Sequence, residues 1–78
     1  MREKQLRLIV TFPTTTAAMA MEKYCHAHDV PGRLIPVPRE ITAGCGMSWS
    51  APVDSRPQVE QAAADAAITV QACYEIVV

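Results

Sequence analysis

At 78 residues, half of them hydrophobic, the chain has material for one domain over 1–78 and none for a second core. Seven Lys and Arg against eight Asp and Glu give a net charge of −1, too little positive charge for a face that grips a phosphate backbone; nucleic acid is excluded as the main partner. No run approaches the ~18 apolar residues of a membrane span, and the opening Met1-Arg2-Glu3-Lys4-Gln5 leads into a strand-like run with no small-residue cleavage site, so a cytoplasmic protein is expected.

Leu6 to Phe12 alternates, with Leu6, Leu8, Val10 and Phe12 on one side and Arg7, Ile9 and Thr11 on the other. A period of two with β-branched residues reads as a half-buried strand. Pro13 ends it, and Thr14, Thr15 and Thr16 offer hydroxyls to the orphan amides of a helix over about 15–28. Ala18, Met21 and Cys25 form that helix's inner stripe, broadened by Ala17, Tyr24 and His28; Glu22, Lys23 and His26 face outward. Asp29-Val30-Pro31-Gly32 supplies the residues expected past a helix end.

Arg33 to Pro38 reads as a second strand. Its prolines, two apart, leave both missing N–H groups on one side of the backbone, which only an edge strand tolerates. A loop over 40–44 precedes a third strand from Gly46 to Ala51, where Trp49 packs on a sheet face. Asp54-Ser55-Arg56-Pro57-Gln58 announces a second helix reaching about Thr69, capped by Ser55 with Gln58 or, with Pro57 first in the helix, by Arg56. Its inner face carries Val59, Ala62, Ala63, Ala66 and Val70, and a last short strand runs to Val78.

The order βαββαβ, with right-handed crossovers and both helices on one face, defines an α+β ferredoxin-like two-layer sandwich with antiparallel sheet order 4-1-3-2. That order independently puts the second strand at an edge. The uncovered face is where a homodimer would form if Trp49, Ile9 and Val77 point outward.

The same topology brings the loop before the third strand to the end where the first helix starts. Cys45, flanked by Gly44 and Gly46, then shares an end with the partial positive charge at Thr14, Thr15 and Thr16. With Arg39, that setting favours a thiolate. A cysteine between glycines is equally a small apolar residue in a tight turn. Cys25 reads as core. Cys73 lies two strands from Cys45, roughly 10 Å away at ~4.8 Å per strand, beyond ordinary disulfide reach. His26 and His28 point to different sides, and the odd cysteine count fits neither a disulfide framework nor a zinc knuckle; no metal or cofactor is called for.

From Arg7 to Ser50 the chain resembles the selenium/sulfur (Se/S) carrier protein-like family. The resemblance is carried by Phe12-Pro13-Thr14-Thr15, Ala18, Glu22-Lys23, Ile35-Pro36-Val37-Pro38-Arg39, Ile41-Thr42 and Cys45-Gly46. It implies a carrier holding sulfur or selenium as a persulfide-type adduct on Cys45. Arg39, Thr42, Gly44, Gly46 and Thr14 to Thr16 would surround the charged sulfur. A donor protein such as a cysteine desulfurase would load it and an acceptor protein would unload it, so the chain transfers a group and need not be an enzyme. Two departures stand out: Ser50 replaces a basic residue of the family's third strand, and Phe12-Pro13-Thr14 stands where sulfur-relay carriers have Cys-Pro-x-Pro. The alternative is a small non-catalytic module that binds an anion at the helix start and Arg39, or dimerises, with Cys45 inert.

Overall fold

The computed structural model describes residues 5–39, 41 and 46–77. The alternating first run forms β1 (Leu6–Thr11), followed by α1 (Thr15–Ala27), β2 (Arg33–Pro36), β3 (Met47–Pro52), α2 (Arg56–Asp65) and β4 (Ala72–Val77). The sheet order is β2-β3-β1-β4, with β1 antiparallel to β3 and β4 and β2 antiparallel to β3. This is the expected order read from the other edge. Leu8, Val10 and Phe12 enter one core cluster with Ala18, Met21 and Cys25 of α1, Trp49 and Ala51 of β3, and Val59, Ala62 and Ala63 of α2. Both helices therefore cover the same sheet face. Each fully buried large apolar side chain there contributes about 1.5–3 kcal/mol.

The proline argument for β2 holds in detail. Val37 donates its N–H to Gly46 O at 3.0 Å, so its backbone faces β3 and the nitrogens of Pro36 and Pro38, one residue to either side, face the open edge. The missing donors cost no ladder bond.

Both helices end by the same device. Past α1, Asp29 sits at φ 56° and Val30 N–H returns to Cys25 O at 2.9 Å. Past α2, Ala67 sits at φ 54°, Ala67 N–H reaches Ala64 O at 3.1 Å, and Ile68 N–H reaches Ala63 O at 2.9 Å. These are left-handed caps that satisfy the last carbonyls. The second helix thus stops at Asp65, well short of Thr69, and Val70 lies beyond it. An alanine in the left-handed region is strained where glycine is not. Ala67→Gly is expected to raise the unfolding free energy by about 0.5–1 kcal/mol, read as a higher midpoint in urea.

At the start of α2, Val53–Ser55 forms a 3-10 turn, Ser55 occupies the cap position without a side-chain cap bond, and Pro57 is the second helical residue. The capping box expected of Ser55 and Gln58 is absent because the 3-10 turn runs straight into the helix. Arg56 instead reaches Glu60 at 2.8 Å and Glu75 of β4 at 2.5 Å, tying the helix to the sheet edge.

The orientation expected for a dimer face changes. Trp49 is in the helix-side core, and its Nε1–H donates to Pro31 O at 3.3 Å. Val77 pairs with Leu6 in the same register as the core residues Leu8 and Val10, so it also belongs to that side. Of the three, Ile9 alone lies on the face away from the helices, and it is fully buried there. Around it Thr11, Ser48 and Ser50 are buried too, with their hydroxyls occupied: Thr11 donates to Ala72 O, Ser48 donates to Ile35 O, and Ser50 accepts from Arg7 Nε at 3.1 Å.

Candidate functional site

Antiparallel register decides what meets at the end of the sheet where β1 finishes. Thr11 pairs with Ser48 on one side and with Ala72 on the other, while Pro36 pairs with Met47. The start of α1, the loop between β2 and β3 and the start of β4 therefore share this end, as the topology required. Cys45, Thr42 and Gly44 lie outside the described residues, but both flanks of their loop are defined.

The loop is closed at its base by the Val37–Gly46 hydrogen bond. On its outgoing side, Ile41 N–H donates to Pro38 O at 3.0 Å, a β-turn that puts Arg39 at its second position, exposed to solvent. Arg39 makes no ion pair with a described residue. Ile41 is 8% exposed and stands apart from the helix-side cluster. Its burial was not foreseen from the sequence; the one large aliphatic residue in a loop of small and polar residues was the available signal. Gly46 has φ +76°, and a Cβ there would meet nothing within 4 Å. Its glycine serves the backbone conformation at the loop base, next to position 45.

At the start of α1, the Thr14 side chain accepts from Ala17 N at 3.1 Å, so this hydroxyl is already used as the cap. Thr15 and Thr16 are exposed in the first turn. A shallow cavity of about 340 Å³ runs from Thr14 and Thr16 to Ala67 and Thr69 beyond α2, and none of the described residues lining it is charged. Neither Arg39 nor Gly46 lines it. Among the described residues lining this cavity, the helix start is therefore the source of positive potential.

Two other thiols are described, and both are free. Cys25 is fully buried in the core, and burial pushes its thiol up to about 11. Cys73 is half-buried against the core; burial raises it most, Arg56 opposes that and Glu60 adds to it. Neither environment favours a thiolate at neutral pH. At pH 8 the folded protein is expected to protect Cys25 from iodoacetamide and to label Cys73 slowly, with both labelling fully in urea. Because the folded thiol of Cys25 titrates above its unfolded value, its contribution is complete below about 9 and is lost as pH rises through about 11. That amounts to roughly 2–3 kcal/mol at about 1.4 kcal/mol per pH unit. Urea melts across this range should fall more steeply for wild type than for Cys25→Ala.

Among the described residues no group of three or more His, Cys, Asp or Glu is arranged to hold a metal ion. None of the described helices is long and apolar enough to cross a membrane.

The family model described as "Putative Se/S carrier protein-like" matches residues 7–75. The chain belongs to this family. The match runs past Ser50, where the recognisable motifs end, through α2 and most of β4, so the C-terminal third is part of the Se/S carrier-like domain and not a generic appendage. Searches of curated proteins and of solved structures return no match.

Proposed function

We propose that this protein is a cytoplasmic carrier that holds sulfur or selenium on Cys45 and passes it between proteins. The observation that carries the reading is membership of the Se/S carrier-like family across a span that includes Cys45. The ferredoxin-like sandwich supports it by tying the loop base, Val37 with Gly46, to the sheet end at which α1 begins. Cys25 and Cys73, held as neutral thiols by burial, leave Cys45 as the candidate nucleophile.

In the loading step the Cys45 thiolate attacks the terminal sulfur of a donor protein's persulfide. The donor's sulfur–sulfur bond breaks, its cysteine leaves as a thiolate, and a new sulfur–sulfur bond forms on Cys45. The proton released by Cys45 balances the one the donor thiolate takes up, and no external oxidant is consumed. Arg39 and the amides of the first turn of α1 stabilise the charged terminal sulfur, with Thr42 and the flanking Gly44 and Gly46 shaping its access. Unloading repeats the exchange with an acceptor thiol.

The test is to incubate the protein with a cysteine desulfurase and free cysteine and then weigh it intact. An added mass of one sulfur atom is expected, removable by dithiothreitol and absent from Cys45→Ser. Failure to load while a known persulfide carrier loads in parallel sinks the proposal.

A further inference from the structure

A second cavity, about 390 Å³, lies between the C-terminal part of α1 and α2. Along α1, of 13 residues at ~1.5 Å each, it is displaced by much of a helix length from Thr14. One wall is a flat aromatic pair: the rings of Tyr24 and His28 stack with centroids 4.1 Å apart and planes 21° from parallel. Two carboxylates line it, Asp29 and Asp65, and neither forms an ion pair with a described residue. Asp65 is oriented by Gln61 Nε2 at 2.7 Å and by the Tyr24 hydroxyl at 3.4 Å, which raises the Tyr24 phenol beyond the effect of its own burial. With its amide nitrogen donating to Asp65, Gln61 keeps its carbonyl oxygen as an acceptor, and Gln58 adds a further amide. Val30, Pro57 and Ala62 supply the apolar part of the lining.

No described Lys or Arg lines this cavity. The carbonyl end of α1 adds negative potential, and Pro57 removes one of the amide donors with which the start of α2 would offset it. The basic residue of that turn, Arg56, is already committed to Glu60 and Glu75. We propose that the cleft is a docking site for an arginine side chain of a partner polypeptide. A guanidinium is planar, stacks flat on aromatic faces and donates in a fork that suits carboxylates; a lysine ammonium is drawn to a ring face only as a point charge and has no such fork. The methylene stem of the arginine covers Val30, Pro57 and Ala62 as the head group pairs with the acids. This site needs nothing from Cys45, so it stands apart from the carrier reading.

The test is a proton–nitrogen NMR titration of the full chain with the peptide acetyl-Gly-Arg-Gly-amide, its citrulline counterpart and free L-arginine. Saturable shifts confined to Tyr24, His28, Gln58, Gln61 and their neighbours are expected, with a dissociation constant on the order of 1 mM for so small a ligand. The neutral citrulline peptide and the variants Asp29→Asn and Asp65→Asn should each bind at least about fivefold more weakly. Asp29→Asn leaves the Tyr24–Asp65–Gln61 bonds untouched and so separates charge from local structure. The proposal is overturned by the absence of saturable shifts, by equal binding of the citrulline peptide, or by wild-type affinity in both variants. Tighter binding of free L-arginine than of the peptide also overturns it, because that marks a small-molecule site.

Discussion

Gly32→Ala is expected to lower the unfolding free energy by roughly 2–5 kcal/mol, from backbone strain and overpacking together. At φ +125° the residue is in a region that side-chain-bearing residues rarely adopt. A methyl carbon there would also stand 2.5 Å from Trp49 Nε1 and 2.6 Å from Ser50 O. The first neighbour is a rigid, buried ring held by its bond to Pro31 O, and the second is strand backbone. Neither can yield without disturbing β3. The measurement is urea unfolding followed by the fluorescence of the single tryptophan, and a loss below about 1 kcal/mol would contradict the packing described. Gly46→Ala is the control. It too has positive φ, but open space surrounds it, so it should cost only the left-handed penalty of about 1–2 kcal/mol. The difference between the two combines the steric clash at Gly32 with the greater backbone strain of its φ of +125° against +76°.

Gly32 also shows where sequence reading stops. Placed just after Asp29 and Pro31, it reads as the terminator of α1, yet Asp29 ends the helix and Gly32 makes room for an indole that arrives 17 residues later. Close approach between distant segments leaves no local trace. The overrun of α2 has a related cause: five of the six residues from Ala62 to Ala67 are alanine, the strongest helix former, and the cap at Ala67 uses a residue that carries no stop signal. What was legible rested on periodicity and covalent constraint. The alternation of Leu6 to Phe12 set the core face of β1, the Ala18–Met21–Cys25 stripe set that of α1, and the prolines of β2 fixed an edge. Trp49 and Val77 were harder, because either face of a strand can take a large apolar residue until its register is known. For the site, the chain order placed Thr14 and the loop base at one end. The burial of Ile41 and the turn at Arg39 depend on loop conformation, which single residues do not encode.

Phe12 is where core and candidate site depend on each other. It has no exposed surface, belongs to the helix-side cluster and immediately precedes Pro13 and the Thr14 cap. Truncating a buried phenylalanine to alanine costs about 3–5 kcal/mol, the lost transfer energy plus a cavity the surroundings fill only in part. A chain of 78 residues has a total stability of roughly 4–12 kcal/mol at 0.05–0.15 kcal/mol per residue. Phe12→Ala should therefore be largely unfolded at 37 °C, or fold with a urea midpoint lower by about 2 M or more at an unchanged slope. Phe12→Leu fills most of the space and is expected to lose only about 1 kcal/mol. Sulfur loading gives the second readout. Leucine should preserve it, whereas alanine should lose it in step with the folded fraction, because β1 and β3 support both the helix start and the loop base. Full stability in Phe12→Ala would mean that the end of β1 is not packed as the structure has it. Lost loading in a fully folded Phe12→Leu would mean that the helix start tolerates no shift at its first core contact, and the cap would then be the part of the site most sensitive to packing.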